Sequence, residues 1–384
     1  MTLQATVDLL ERLIAYPTVS TDSNLELILD LSGRLQSLGA RTHIFGDETG
    51  TKATLFGSLG PDEPGGILLS GHSDVVPVTD QDWASDPFEM RQADGRLYGR
   101  GACDMKGFIA ACIVMAERYA AMPLKRPVHF AFTYDEETGC LGAQALIPEL
   151  NRLGIKPDIA IIGEPTEMRV IEGHKGCCEY TTRFEGLEGH GSSPDLGVNA
   201  AEYAVRYVSR LMELRGDLCA RTPNGSRFDP PYTTINIGRV QGGHAHNVIV
   251  GKAEVDWEFR PVQDSDMRFV KSTMEAFVTD ELLPQMRAVY PQADITMETV
   301  GEVPGLEPMT ENAARDLMAT LLGANSAGVV PFGTEAGLFQ QMGMDVILCG
   351  PGSIAQAHKP DEFVSLNQLE MCLGMLERLG DRLV

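Results

Sequence analysis

The chain has no C-x-x-C pair and no dense cysteine framework. Its eight cysteines, Cys103, Cys112, Cys140, Cys177, Cys178, Cys219, Cys349 and Cys372, are scattered over 384 residues. That spacing argues against a disulfide-stapled scaffold and against a thiolate zinc site. No apolar run is long enough to span a bilayer. The opening stretch MTLQATVDLLERLIAYPTVS has acidic residues inside its apolar pattern and no basic leader or cleavage-type segment, so a reducing cytoplasm is the expected location. Cations are also scarce: 31 Lys and Arg against 54 Asp and Glu leave a formal charge of -23, which argues against nucleic acid or an anionic membrane as the main partner. Internal repeats and low-complexity tracts are absent.

What remains is an ordinary globular composition, 43% hydrophobic and 22% charged, in a chain long enough for two or three domains. Leu3, Val7, Leu10, Leu13 and Ile14 fall at helical spacing, as do Leu27, Ile28, Leu31, Leu35 and Leu38 before Gly39. Short β-rich runs then alternate with helical ones. KATLFGSLG, GGILLSGHSD, PVHFAFTYDEE and DIAIIGEP read as strands, and GFIAACIVMAERYAAM and GAQALIPELNRLG as the helices between them. This alternation predicts an α/β domain with a sheet covered by helices on both faces.

From about Gly176 the rhythm changes to strand, helix, strand, strand, helix, strand, the order of a ferredoxin-like α+β unit. The first rhythm returns with a helix over 311–322 and a strand at DVILCGP. The expectation is a catalytic domain formed by residues 1–175 and 302–384, with residues 176–301 inserted as a lid or dimerisation domain.

The strand ends carry the chemistry. His72 and Asp74, two residues apart in a strand, would share a face, and a carboxylate beside a histidine is a common support for a metal ligand. Asp104 in GRGACDMKG, Glu136 and Glu137 in TYDEETG, Glu164 in IIGEPT and His358 in AHKPDE all lie at or just after other predicted strands. Ligands bind at the carboxyl ends of open α/β sheets, so these groups can converge on one crevice. Imidazole plus carboxylate without thiolate suits zinc, cobalt or manganese. Two histidines and three or more carboxylates exceed the needs of one tetrahedral ion and would suffice for two.

These segments, with HKG, GHGSSPDLGVNA and FGTEAG, resemble the dinuclear-zinc aminoacylase and carboxypeptidase family of metallohydrolases over nearly the whole chain. The resemblance implies two Zn2+, with Co2+ or Mn2+ as substitutes. His72 and Glu164 would bind one ion, His358 and Glu137 the other, and Asp104 would bridge. Asp74 would orient His72, and Glu136 would be the general acid/base. Glu at position 164 is similar to the family's deacylases and carboxypeptidases. His190 would stabilise the oxyanion, often across a homodimer, although this chain reads His-Gly-Ser-Ser where many relatives have His-Ser. Asn247 and Arg260 match substrate-contacting positions, with Val250 standing where relatives often have Pro.

The implied substrate is a small N-acyl amino acid, and the implied reaction is removal of the acetyl group from N2-acetyl-L-ornithine in arginine biosynthesis. Arg260 would then hold the α-carboxylate and Glu335 the side-chain ammonium, unless Glu335 merely caps the helix AGLFQQM. The alternatives are succinyl-diaminopimelate desuccinylation, a broader aminoacylase, and a metal-binding dimeric scaffold without catalysis. Outside the motifs, His129 reads as structural, and His43, His244 and His246 as surface or turn residues. His174 is either a packing residue or near substrate. Cys177 and Cys178 read as strand residues, and Asp135 as a solvated neighbour or a helper of the site.

Overall fold

Every residue from Ile67 to His72 is buried, as are all of Val128–Thr133 and Ile159–Pro165. Strands covered on both faces read as continuous apolar runs rather than alternating ones, and they form the centre of a helix-covered sheet. The computed structural model describes residues 2–384 and divides into two compact units. The first holds the residues up to Gly173, Pro308–Val329 and Thr334–Val384; the second holds His174–Glu307 and Val330–Gly333.

The first unit is α/β. Its eight-stranded sheet runs in the order Arg41–Gly46, Ala53–Leu59, Val128–Thr133, Ile67–His72, Ile159–Pro165, Asp345–Gly350, Ile171–His174 and Gly328–Val330. Four central neighbours, Val128–Thr133 through Asp345–Gly350, are parallel, whereas Arg41–Gly46 and Ala53–Leu59 add antiparallel pairs at one edge. Side-chain alternation sends Ile67, Leu69, Phe130, Ile161 and Ile347 into one core with the helices Thr2–Ile14, Gly107–Ala120 and Leu366–Asp381. The helices Leu141–Leu153 and Ala336–Gln341 pack on each other and on sheet strands apart from that core. Arg41–Gly46 and the helix Leu366–Asp381 add to the elements expected from the sequence.

One short strand lies outside the main sheet. Arg96–Tyr98, just before Asp104, is not in the main sheet; it pairs with Arg91–Ala93 and Phe363–Ser365 in a separate three-stranded sheet. Asp104 itself sits in an irregular turn, Ala102–Lys106, leading into Gly107–Ala120.

The second unit has four antiparallel strands in the order Thr234–Gly242, Lys252–Arg260, Cys177–Glu185 and Asp294–Val303. Tyr180, Trp257 and Phe259 stack on one sheet face and share a core with the helices Ala200–Ala220 and Asp264–Ala276. The second predicted helix runs unbroken from Asp264 to Val289, but its winding widens at Phe277–Leu282 between Asp264–Ala276 and Leu283–Val289. No helix among the described residues is long and apolar enough to cross a membrane.

His174 begins this unit fully buried, with Nδ1–H donating to the Lys175 carbonyl at 2.8 Å. Burial pushes its pKa down from 6.5 to about 4. The unfolded chain therefore takes up this proton first as pH falls. The stability that His174 contributes is complete above about 6.5 and is lost progressively toward about 4. Replacing His174 with Gln should abolish that part of the acid sensitivity, worth at most roughly 3 kcal/mol. The stability gap between wild type and variant, measured by denaturant melts, should shrink from pH 7 toward 4; a gap independent of pH would refute the assignment.

Candidate metal centre

His72 ends a central strand, and its Nδ1–H donates to the backbone carbonyl of Asp74 at 2.9 Å, with the Asp74 carboxylate 3.6 Å away. The ring is thereby turned so that Nε2 faces Asp104 Oδ1 at 3.0 Å. Orienting His72 is only part of what Asp74 does. Its buried carboxylate in fact accepts from Ser20 Oγ at 2.7 Å and from the backbone N–H groups of Glu136 and Glu137 at 3.1 and 3.4 Å. Asp74 thus braces the turn that presents both glutamates.

A second brace comes from Asp135, which adopts φ +53° in this turn. It is buried and paired with Lys52 Nζ at 2.6 Å, and Lys52 also donates to the Ser20 carbonyl. Asp135 is therefore a helper of the site rather than a solvated neighbour. Ser20 and Lys52 were missed in the sequence because nothing in their local pattern points to a site 83 residues away from Lys52.

Asp104 divides its oxygens between two imidazoles. Oδ1 meets His72 Nε2, and Oδ2 lies 3.5 Å from His358 Nε2, which in turn contacts Glu137 at 3.0 Å. Burial works to raise the Asp104 carboxyl, but hydrogen bonds from His358 and His72 overcome it and hold it well below the usual carboxylate range. Hydrogen bonds to Asp104 and Glu137 push His358 up to about 10. Glu164, at the end of Ile159–Pro165, is pushed well above its ordinary value by burial and the Asp104 charge. Burial and the charge of Glu164 do the same to Glu136.

This arrangement fits divalent cations. Single ligand atoms of His72, Glu136 and Glu164 lie within 4.8 Å of one another, as do those of His72, Asp104 and Glu137. Glu164 Oε1 is buried without a hydrogen-bond partner, a position that ordinarily demands a cation or donor. Among the described residues no Lys or Arg pairs with Asp104, Glu136, Glu137 or Glu164, so only the two histidines answer this negative charge directly. The adjoining thiols of Cys103 and Cys140 are pushed up by burial, so the donors are nitrogen and oxygen.

Glu335 departs from the expected encounter with a substrate ammonium. It is 1% exposed, with Oε1 accepting from Ser70 Oγ at 2.5 Å and Oε2 from Thr133 Oγ1 at 2.8 Å. Nor does its side chain cap the following helix. In the second unit, His190 and Asn247 come together where the strand Gly189–His190 pairs with Val248–Ile249 and Gly191 N–H donates to the Asn247 carbonyl at 2.8 Å. His190 is exposed, with Nδ1 2.8 Å from Ser192 Oγ. Arg260 directs Nε and Nη2 at Glu258 Oε2, 3.1 and 2.6 Å away, so a substrate carboxylate would compete with that pair.

Comparison with known proteins supplies the context. The chain is 36% identical over 382 residues to an acetylornithine deacetylase of Photorhabdus laumondii, covering 98% of this chain and 96% of the relative. It is 35% identical to that of Pasteurella multocida, over 96% and 95%. Among solved structures, an M20 family metallo-carboxypeptidase from Sulfolobus solfataricus superposes with TM-score 0.72 at 16% identity, over 98% of both chains. A dinuclear metal binding peptidase of the M20 family from Bacillus subtilis gives TM-score 0.66 at 17% identity, over 100% of this chain and 98% of the other. The family model for peptidase family M20/M25/M40 matches residues 68–382, a span running from the strand of His72 past His358 and into the last helix, and the chain belongs to that family.

Proposed function

We propose that the protein is a zinc-dependent amide hydrolase that removes the acetyl group from N2-acetyl-L-ornithine, giving ornithine and acetate, and that it works as a homodimer in the cytoplasm. The observation that carries the hydrolase reading is Asp104 standing between His72 and His358 while, among the described residues, no histidine hydrogen-bonds or ion-pairs with Glu136 alongside. Support for the substrate comes from the relatives named acetylornithine deacetylase, aligned over nearly the whole chain. Eight free cysteines accord with a reducing compartment.

His72 and Glu164 would hold one cation, His358 and Glu137 the other, with Asp104 shared. Bound there, the pair would supply Lewis acidity and lower the pKa of water. The chain's own contribution is proton transfer and positioning. Glu136 takes a proton from the attacking water as its oxygen adds to the acetyl carbon. It then returns that proton to the amide nitrogen, which leaves as the α-amine when the C–N bond breaks. Burial and the neighbouring charge of Glu164 push the Glu136 carboxyl up, toward holding a proton, and bound cations would work in the opposite direction. His190 and Asn247 are proposed to stabilise the oxyanion and Arg260 to receive the α-carboxylate.

The decisive experiment is a substrate panel on zinc-loaded protein. N-Acetylornithine should be hydrolysed with the highest kcat/KM, ahead of other N-acetyl amino acids and succinyl-diaminopimelate. Preference for the succinyl substrate, or no selectivity at all, would move the assignment to a desuccinylase or a broad aminoacylase; no turnover of any would favour a non-catalytic scaffold.

Replacing Glu136 with Gln should lower kcat by about a hundred- to ten-thousand-fold while both metal equivalents stay bound. Metal analysis decides: loss of an equivalent would make Glu136 a ligand, the role its distance to His72 and Glu164 also permits. If His190 acts across the dimer, mixing inactive Glu136→Gln with inactive His190→Ala subunits should restore part of the activity. Absence of recovery, with exchange of subunits verified, would place His190 in its own subunit's site.

A further inference from the structure

The turn that carries Asp104 is not helical: Asp104 lies at φ -123°, ψ 88° and Met105 at φ -137°, ψ 36°. Backbone N–H groups in such a turn lack the regular acceptors of a helix, and buried ones must find others. Three of them find the same side chain. Glu362 Oε2 accepts from Gly101 N–H at 3.0 Å, and Oε1 accepts from Cys103 and Asp104 N–H at 3.0 and 3.1 Å. The Glu362 backbone carbonyl takes a fourth N–H, from Gly99, at 3.0 Å.

Glu362 is itself held by Arg100, whose Nη1 lies 2.8 Å from Oε2, and the side chains of both are 1% exposed. Arg100 fans out from there. It donates to the carbonyls of Lys359 and Pro77 and, at 2.6 Å, to Gln81 Oε1. Gln81 closes the circuit by donating from Nε2 to the His358 carbonyl at 3.0 Å. Segments 77–81, 99–104 and 358–362 are thus tied into one unit by a single buried ion pair. Two of those segments carry Asp104 and His358.

Energetics argue that this pair is there for geometry. A buried Arg–Glu pair is costly to desolvate, and apolar residues of similar volume often stabilise a fold as well or better. What apolar residues cannot do is accept three backbone N–H groups at once in a turn that no helix satisfies. We propose that Glu362, backed by Arg100, is a positioning residue: it fixes Asp104 relative to His358 and so sets the affinity of the ion position that these two residues share. The inference rests on the metal-centre reading above.

The test is titration of the metal-free full chain with Co2+ alone. Glu362→Gln preserves shape, but one end of the side chain becomes a donor, so either Gly101 or the Cys103–Asp104 pair loses its acceptor. One Co2+ equivalent should bind about 10- to 100-fold more weakly, with an altered visible absorption band, and the other should be unchanged. On the active holoenzyme, kcat should fall while KM stays within roughly two-fold. Gln81→Leu, at a partly exposed position, removes the link to the His358 carbonyl together with the acceptor used by Arg100 and Trp83, leaves the Glu362 contacts to the Asp104 turn in place, and should weaken the same equivalent several-fold.

Unchanged Co2+ affinity and spectrum in Glu362→Gln, with loss only of thermal stability, would overturn the inference. Should that variant fail to fold, unchanged binding in Gln81→Leu would overturn it instead. A wild-type chain that takes up no Co2+ would overturn the metal-centre reading itself, which is a separate result.

Discussion

Asp104, Glu136, Glu137 and Glu164 are gathered around His72 and His358 in a crevice where charge is expensive. Two like charges about 4 Å apart repel by roughly 4 kcal/mol at the effective dielectric of a protein site. That exceeds what an exposed ion pair returns, which is typically 0–1 kcal/mol. Without cations, burial and neighbouring carboxylates push Glu136 and Glu164 well above their ordinary range, and hydrogen bonds to Asp104 and Glu137 push His358 up to about 10. Divalent ions would compete with protons for such groups, so metal uptake would be coupled to pH. The surrounding structure keeps these groups together against their own repulsion.

Two kinds of device do this. One is polar: Asp74 gripping the backbone of Glu136 and Glu137, Lys52 on Asp135, and Glu362 on the Asp104 turn. The other is close packing. A Cβ at Gly163 would lie 2.0 Å from the Phe108 ring, and one at Gly350 would lie 2.0 Å from the Gly163 carbonyl. The strand that ends in Glu164 can therefore lie directly under the start of the helix that follows Asp104. Distances between ligands from different elements are set by these approaches, and a single added methyl would force the layers apart.

This division explains what could be read from the sequence. Elements with a strong period were legible: the buried strand through His72, the helices around it, and the strand order of the second unit. The candidate site residues stood out too, since His, Asp and Glu at the ends of apolar runs are conspicuous against a buried background. Groups acting through long-range contacts were not. Lys52 and Asp135 meet across 83 residues and Arg100 and Glu362 across 262, and each looks locally like an ordinary charged residue. A three-residue strand such as Arg96–Tyr98 does not specify by its own pattern which sheet it joins.

Glu335 shows how burial overrides a charge-matching argument. Its partners are Ser70, two residues before His72 on the same strand face, and Thr133, the registered neighbour of His72 on the next strand. The carboxylate therefore ties together the two strands beneath the metal centre and lies within the electrostatic influence of His72. An ammonium reaching it would have to displace two hydroxyl hydrogen bonds and enter the sheet, giving up its own hydration without gaining an open cavity. Glu335 belongs instead with Asp74 and Glu362, three buried carboxylates whose hydrogen bonds hold the segments carrying the candidate site residues.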